Sequence, residues 1–203
     1  HGDQEIFSRQ EMTQHFSLEN ITTSAAIFNP EKLQWLNQQY IQNTDPTKLA
    51  EQLEPFLIKE GVLIEQHGLS IKEIAKPIPS LNQRSQTLIE MAQKSAFYFK
   101  KDLTFDEKAR DKFLNKEIKP HIEKLITGIN DMTLFEHDPL ENLLKKVAEE
   151  AGLKLGKLAQ PVRVALTGST ASPGIYDVIL LLGKTTTLKR LNEGVGFIEK
   201  SCN

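Results

Sequence analysis

The 203-residue sequence predicts an all-α fold. Three observations carry that prediction. Helix-start signals recur along the chain, apolar residues return at three- and four-residue spacing, and neither sustained alternation nor an Asn-Gly or Asp-Gly hairpin turn occurs. Apolar residues make up 39% and charged residues 26%, a balance that excludes wholesale disorder. The longest apolar run, Val178 to Leu182, has five residues, far short of the roughly 18 that a membrane span needs.

The elements follow in order. Ser8-Arg9-Gln10-Glu11 has the spacing in which hydroxyl and carboxylate each satisfy an orphan backbone N–H, so a helix starts there. Asn29-Pro30 opens the next, with Asn29 as cap and Pro30 where its missing N–H costs nothing. Leu33, Leu36, Tyr40 and Ile41 repeat at helical spacing behind it, and Trp35 is expected in the core. Asp45-Pro46 uses the same device ahead of TKLAEQLEPFLIKEG. Asp138-Pro139 uses it again ahead of LENLLKKVAEEAG, with Leu140, Leu143, Leu144 and Val147 as the apolar stripe and Gly152 as the stop.

Between these, spacing predicts helices over residues 70–76, 81–97, 105–114 and 116–128, the last two split near Asn115. Phe97-Tyr98-Phe99 cannot all face inward on one helix, so at least one ring is accessible or marks a bend. The tail reads as LGKLAQPVRVALTG, then PGIYDVILLLG with Ser172 as its cap, then KTTTLKRLNEGVGFIEK. VRVAL passes for a strand in isolation, but one strand has nothing to pair with. Gly61–Leu69 and Gly128–Asp138 are the soft boundaries between helical groups.

Little in the sequence serves catalysis. The 11 glycines are dispersed and form neither a Gly-x-x-x-x-Gly-Lys-Ser/Thr loop nor Gly-x-Gly-x-x-Gly. The five histidines, His1, His15, His67, His121 and His137, lack the His-Glu-x-x-His pairing of a zinc site, so no metal site is expected. Adjacent carboxylates such as Glu149-Glu150 diverge on a helix. The single cysteine, Cys202, excludes an intrachain disulfide, and a reducing cytoplasmic setting is expected. A start without Met or a signal-like segment reads as a piece of something longer.

Binding is better supplied. Residues 151–203 carry seven Lys/Arg against three Asp/Glu, a balance of +4, while residues 1–150 stand at −6. A basic end suits an anionic partner. Within it, TGSTASPG (167–174) is a small-residue turn before a helix, and Arg163 lies nine residues before Ser172. A guanidinium offers a planar fork of donors that fits a phosphate or a base edge. The residues alone leave two readings open: a ligand-reading turn, or a plain helix connector with Arg163 on the surface.

HGDQEIFSRQEM, SAAIFNPEKLQWLNQQYI, QRSQTLIEMA and KLGKLAQPVRVALTGSTASPGIYDVILLLGKTTTLKRL together resemble the C-terminal half of the bacterial glutamyl-tRNA synthetases, over essentially the whole chain. QPVRVALTG, the SPG turn and LLGK in that order are the most specific part. The resemblance implies two helical anticodon-binding subdomains, 65–128 and 129–203, preceded by the end of a stem-contact region, 1–64. It implies anticodon contacts by Arg163, Ser172, Pro173 and Ile175, and by Arg84 in LNQRSQTL. It further implies tRNA(Glu) as partner, with neither DNA nor membrane, a monomer, and no cofactor here. ATP and Mg would belong to a catalytic half that has no counterpart in this chain. LLGKTTTLKRL departs from the family by its threonine run. Lys157, Lys184 and Lys189 are assigned to phosphates, with plain solvated lysines as the alternative. A helical protein–protein interaction module is the rival reading; a free-standing enzyme is the other, and no turnover is expected.

Overall fold

The structure is a computed structural model that describes residues 4–21, 25 and 27–200; His1 and Cys202 lie outside them. The described residues form α1 (Arg9–His15), α2 (Pro30–Asn43), α3 (Pro46–Lys59), α4 (Ile71–Ala75), α5 (Ile78–Leu81), α6 (Leu88–Phe99), α7 (Glu107–Phe113), α8 (Lys119–Asp131), α9 (His137–Glu150), α10 (Leu155–Thr167) and α11 (Ile175–Lys200), with no strand among them. VRVAL is wholly inside α10.

Local chemistry sets most starts. Ser8 and Glu11 form the expected capping box, and Ser70 with Glu73 forms another on α4. Asn29 accepts from the Lys32 N–H at 3.1 Å. Asp45 accepts from those of Thr47 and Lys48. Between α7 and α8 the Asn115 side-chain oxygen takes the N–H groups of Glu117 and Ile118, which explains the split there. Gly183, with φ +75° and ψ 164°, breaks α11 into residues 175–182 and 184–200, as the sequence suggested.

Apolar packing makes two cores. In the first, Leu49, Leu53 and Leu57 of α3 are buried against Ile74, Ile78, Met91 and Ala92. In the second, α8 to α11 bury Ile122, Leu125, Leu144, Val162, Val178 and Leu191, and Phe97 at the end of α6 reaches in from the first unit. Neither residue 64/65 nor 128/129 is a break in this packing: the first lies among the residues of one core, the second inside α8. Glycines in 61–69 and at 128 answer local needs instead. Gly61 has φ +64°, and a Cβ on Gly128 would stand 2.4 Å from Leu143, where α8 meets α9.

Four expectations are corrected. Trp35 is 36% exposed, and Leu33 and Tyr40 are exposed with it; of the α2 stripe only Ile41 is buried, because most of α2 lies outside the core formed by α3 to α6. The single helix over 81–97 is instead the end of α5, a 3-10 turn at Asn82–Arg84 and α6, since Ser85 is extended and Thr87 caps a fresh start by accepting from the Glu90 N–H. α9 begins at His137 with Glu136 as its cap residue; Asp138 lies in the first turn, where its charge suits the helix dipole. Ser172 does not cap α11, which begins at Ile175 with Val178 N–H donating to Gly174 O.

Candidate nucleic-acid interface

Arg163 projects from α10 toward the turn that precedes α11. Its Nη1 donates to the carbonyls of Pro173, at 2.5 Å, and Ser172, at 3.3 Å, and to Ser172 Oγ. That is why Ser172 is not a cap: its hydroxyl is spent on the guanidinium and on Pro173 O. Nε and Nη2 make no hydrogen bond among the described residues. The side chain is half-buried.

Arg84 reaches the same region from the first unit. It ends a 3-10 turn, Asn82–Arg84, and is exposed. The turn is held from two sides. From α2, Gln38 donates to Gln83 O at 2.9 Å and Asn37 to Gln86 O at 2.5 Å. From α6, Glu90 accepts from Gln86 N–H at 2.7 Å, and Lys94 donates to Arg84 O and to Glu90. Burial alone pushes the Glu90 carboxyl up, but its bonds to Lys94 and to Gln86 outweigh that and hold it below the usual carboxylate range.

The two guanidinium groups feel each other. Burial, and after it the charge of Arg84, lowers the Arg163 pKa from its ordinary value. Neither arginine has a carboxylate partner among the described residues. Two like charges from separate packing units, left without a counter-charge, favour an anion or an acceptor-rich ligand.

The other expected residues divide. Pro173 is buried and Ile175 is 7% exposed within the second core, so their side chains shape the turn and only its backbone is left for outward contacts. Lys157 is exposed near the start of α10. Lys189 is exposed with Glu193 at 3.6 Å, a pairing worth little. Lys184 is committed elsewhere: its ammonium donates to the Asn130 and Met132 carbonyls, both at 2.8 Å, and so closes the C-terminus of α8. The aromatic run turns out as Phe97 buried, with Tyr98 and Phe99 half-buried and edge-to-face at 4.9 Å between centroids.

Some residues carry a role that no local signal marks. Arg190 is 3% exposed. It donates to Phe97 O at 2.7 Å and to Leu166 O and Lys100 O at 2.8 Å each, pinning the ends of α6 and α10 to α11. Gly168, at φ +75°, ends α10 so close to the chain that a Cβ would lie 2.3 Å from Thr104 O. In both cases the partners are far away in sequence. His137, Asp138 and Glu141 bring ligand-type atoms within 4.8 Å of one another, although Glu141 already holds Lys145 at 3.0 Å. That cluster lies at the surface and shows no motif in the sequence.

A helical scaffold that leaves two arginines without a counter-charge, near enough for one to act on the other, is of a class suited to reading nucleic acid, and comparison with known proteins agrees. The family described as "Anticodon binding domain" matches residues 48–195, and the chain belongs to it. Among curated proteins it is 44% identical over 200 residues to the glutamate–tRNA ligase of Syntrophobacter fumaroxidans and 42% identical over 199 residues to that of Geotalea uraniireducens. Each alignment covers 98% of this chain and 42% of the relative, so the chain spans about two fifths of their length. The crystal structure of a glutamate tRNA ligase from Elizabethkingia meningosepticum in complex with its amino acid superposes with a TM-score of 0.80 at 26% identity, over 95% of this chain and 37% of that one.

Proposed function

We propose that this chain is the part of a glutamate–tRNA ligase that grips the anticodon loop of tRNA(Glu). In this reading Arg84 and Arg163 present donor forks to the anticodon bases, while the backbone of the Ser172-Pro173-Ile175 turn supplies further contacts. Lys157 and Lys189 serve phosphates; Lys184 serves the fold. The division into a stem-contact region (1–64) and two anticodon-binding subdomains (65–128, 129–203) concerns tRNA contact rather than packing. Attachment of glutamate, with ATP and Mg, belongs to the part of the relatives that this chain does not span. The working form is a cytoplasmic monomer; among the described residues no helix is long and apolar enough to cross a membrane.

The observation that supports the reading is the Arg163 guanidinium, held by Nη1 on the Ser172-Pro173 turn with Nε and Nη2 left over and no carboxylate partner among the described residues, with the charge of Arg84 near enough to act on it. Bases splayed from an RNA loop expose the acceptors that such forks suit, and a good bidentate contact discriminates by about 1–3 kcal/mol. The test is filter binding of the tRNA(Glu) anticodon stem-loop to the chain and to Arg84→Ala and Arg163→Ala, with the helical circular dichroism retained. Each substitution is expected to weaken binding by about ten-fold or more, and a stem-loop with a swapped anticodon to bind poorly. Unchanged affinity with both substitutions, or equal failure of both RNAs, would favour the protein-interaction module instead.

A further inference from the structure

The face of α10 that carries Arg163 does not end there. Gly156, Gln160 and Arg163 stand at i, i+4 and i+7, one above another on the helix. Past Gln160, which donates to Thr170 O at 3.1 Å, this face lines an open groove between α7, the Asn115 turn, α8 and the start of α10. The groove encloses about 820 Å³, inside the range of roughly 300–1,000 Å³ found for small-ligand sites.

Its lining is of two kinds. Phe113, Ile118, Leu153 and Pro161 make an apolar floor, and Lys112, Lys154 and Lys157 stand around it against one carboxylate, Glu117. Lys154 and Lys157 have no ion pair among the described residues. His121 also faces the groove, and its Nδ1 is buried without a hydrogen-bond partner. Pro161 has no N–H to give to the Lys157 carbonyl one turn earlier, which leaves that oxygen without its helical donor. α10 begins here without a side-chain cap, so its first N–H groups add to the positive potential.

A flat apolar floor, an unspent imidazole nitrogen and a carbonyl beside unpaired ammonium groups fit a base joined to a phosphate. We infer that this groove holds one further nucleotide of the RNA strand bound at Arg163, a neighbour of the bases read there. Its base lies on the apolar floor within reach of His121, and its phosphate lies between Lys154 and Lys157. This rests on the RNA-binding reading above, because continuity with Arg163 along α10 is what makes the occupant part of the same strand.

The test uses anticodon stem-loops that each lack one base, position by position through the loop. Binding is measured to the unsubstituted chain, to His121→Ala, to Lys154→Ala/Lys157→Ala and to Arg163→Ala, each checked for helical content. One abasic position flanking the anticodon is expected to weaken binding about ten-fold in the unsubstituted chain and to cost less in His121→Ala, where part of the contact to that base is already gone. The double lysine substitution is expected to weaken every stem-loop alike and to lower the slope of log affinity against log salt by about 0.7 for each phosphate that is no longer neutralised. If the histidine and lysine substitutions change neither affinity nor the abasic profile while Arg163→Ala still weakens binding, the groove is not a nucleotide site and the anticodon reading stands. If Arg163→Ala is also silent, the reading itself falls. Binding of a free nucleoside monophosphate at the groove, with no effect of these substitutions on RNA, would overturn the assignment to the strand.

Discussion

Arg163 and Arg190 both grip backbone carbonyls in the second unit, yet the two guanidinium groups do opposite things with their donors. Arg190 spreads Nη1 and Nη2 over three carbonyls from α6, α10 and the chain after α6, and it is shut away from water. Arg163 spends Nη1 alone on the Ser172-Pro173 turn and keeps Nε and Nη2 unused beside Arg84. A buried arginine whose two Nη groups both hold backbone carbonyls is a fastener, although its buried Nε has no partner among the described residues. A half-buried one with donors left over is equipped to meet a ligand. Burial lowers the pKa of both, and each keeps an Nε without a partner among the described residues; what separates them is that Arg190 is shut away from solvent while Arg163 is half-buried.

The contrast can be broken most forcibly at Arg190. Arg190→Ala leaves two buried carbonyls and the half-buried one of Lys100 without their donor, each costing about 1–3 kcal/mol unless water reaches it. The chain should therefore lose about 3 kcal/mol or more of stability in urea denaturation. Where the chain is still folded, its preference among stem-loop sequences should not change. A changed preference with full stability would make Arg190 a reader.

A smaller effect is expected at Gly168, which ends α10 and ties it to the start of α7: its carbonyl accepts from Asp106 N–H at 2.8 Å. Gly168→Ala puts a Cβ at φ +75° and 2.3 Å from Thr104 O. About 2 kcal/mol of destabilisation should follow, read as a lowered urea midpoint at unchanged slope. No loss would mean that the segment before α7 moves aside at little cost.

The smallest effect concerns the Arg84 side. The Glu90 carboxyl is held below the usual carboxylate range in the folded chain. Its contribution is therefore complete at neutral pH and is lost as the pH falls through that lowered pKa. The protection of Gln86 N–H against hydrogen exchange, taken relative to the intrinsic rate at each pH, should fall on acidification, and Glu90→Gln should remove that step. An identical acid response in Glu90→Gln would place its cause elsewhere.

Legibility in the sequence follows the range of the interaction. Asn29-Pro30, Asp45-Pro46, the Ser8 and Ser70 boxes, the Asn115 split and the Gly183 break depend on residues within a few positions, and their chemistry is written there. What a helix buries depends on partners far along the chain. Trp35 reads as core because α2 has an apolar stripe, but little packs on that stripe. Lys184 reads as a phosphate contact or a solvated lysine, and nothing in GKTTTLKRL marks Arg190, because the carbonyls they close lie 24 to 93 residues away. Arg163 is legible through its motif, whereas the turn it holds is not. Ser172 has the residue type and position of a cap, and only the folded chain shows that a guanidinium claims its hydroxyl first. Arg84 owes its placing to resemblance alone, since the clamp from Asn37, Gln38, Glu90 and Lys94 is tertiary.

Whether Arg84 and Arg163 offer their free donors to RNA while Arg190 does not is tested most directly by nuclear magnetic resonance. The arginine Nε–H signals of the ¹⁵N-labelled chain are followed as the tRNA(Glu) anticodon stem-loop is added. The Arg84 and Arg163 signals should shift and become protected from exchange while Arg190 stays still. Motionless Arg84 and Arg163 signals at saturating RNA would contradict the role assigned to them.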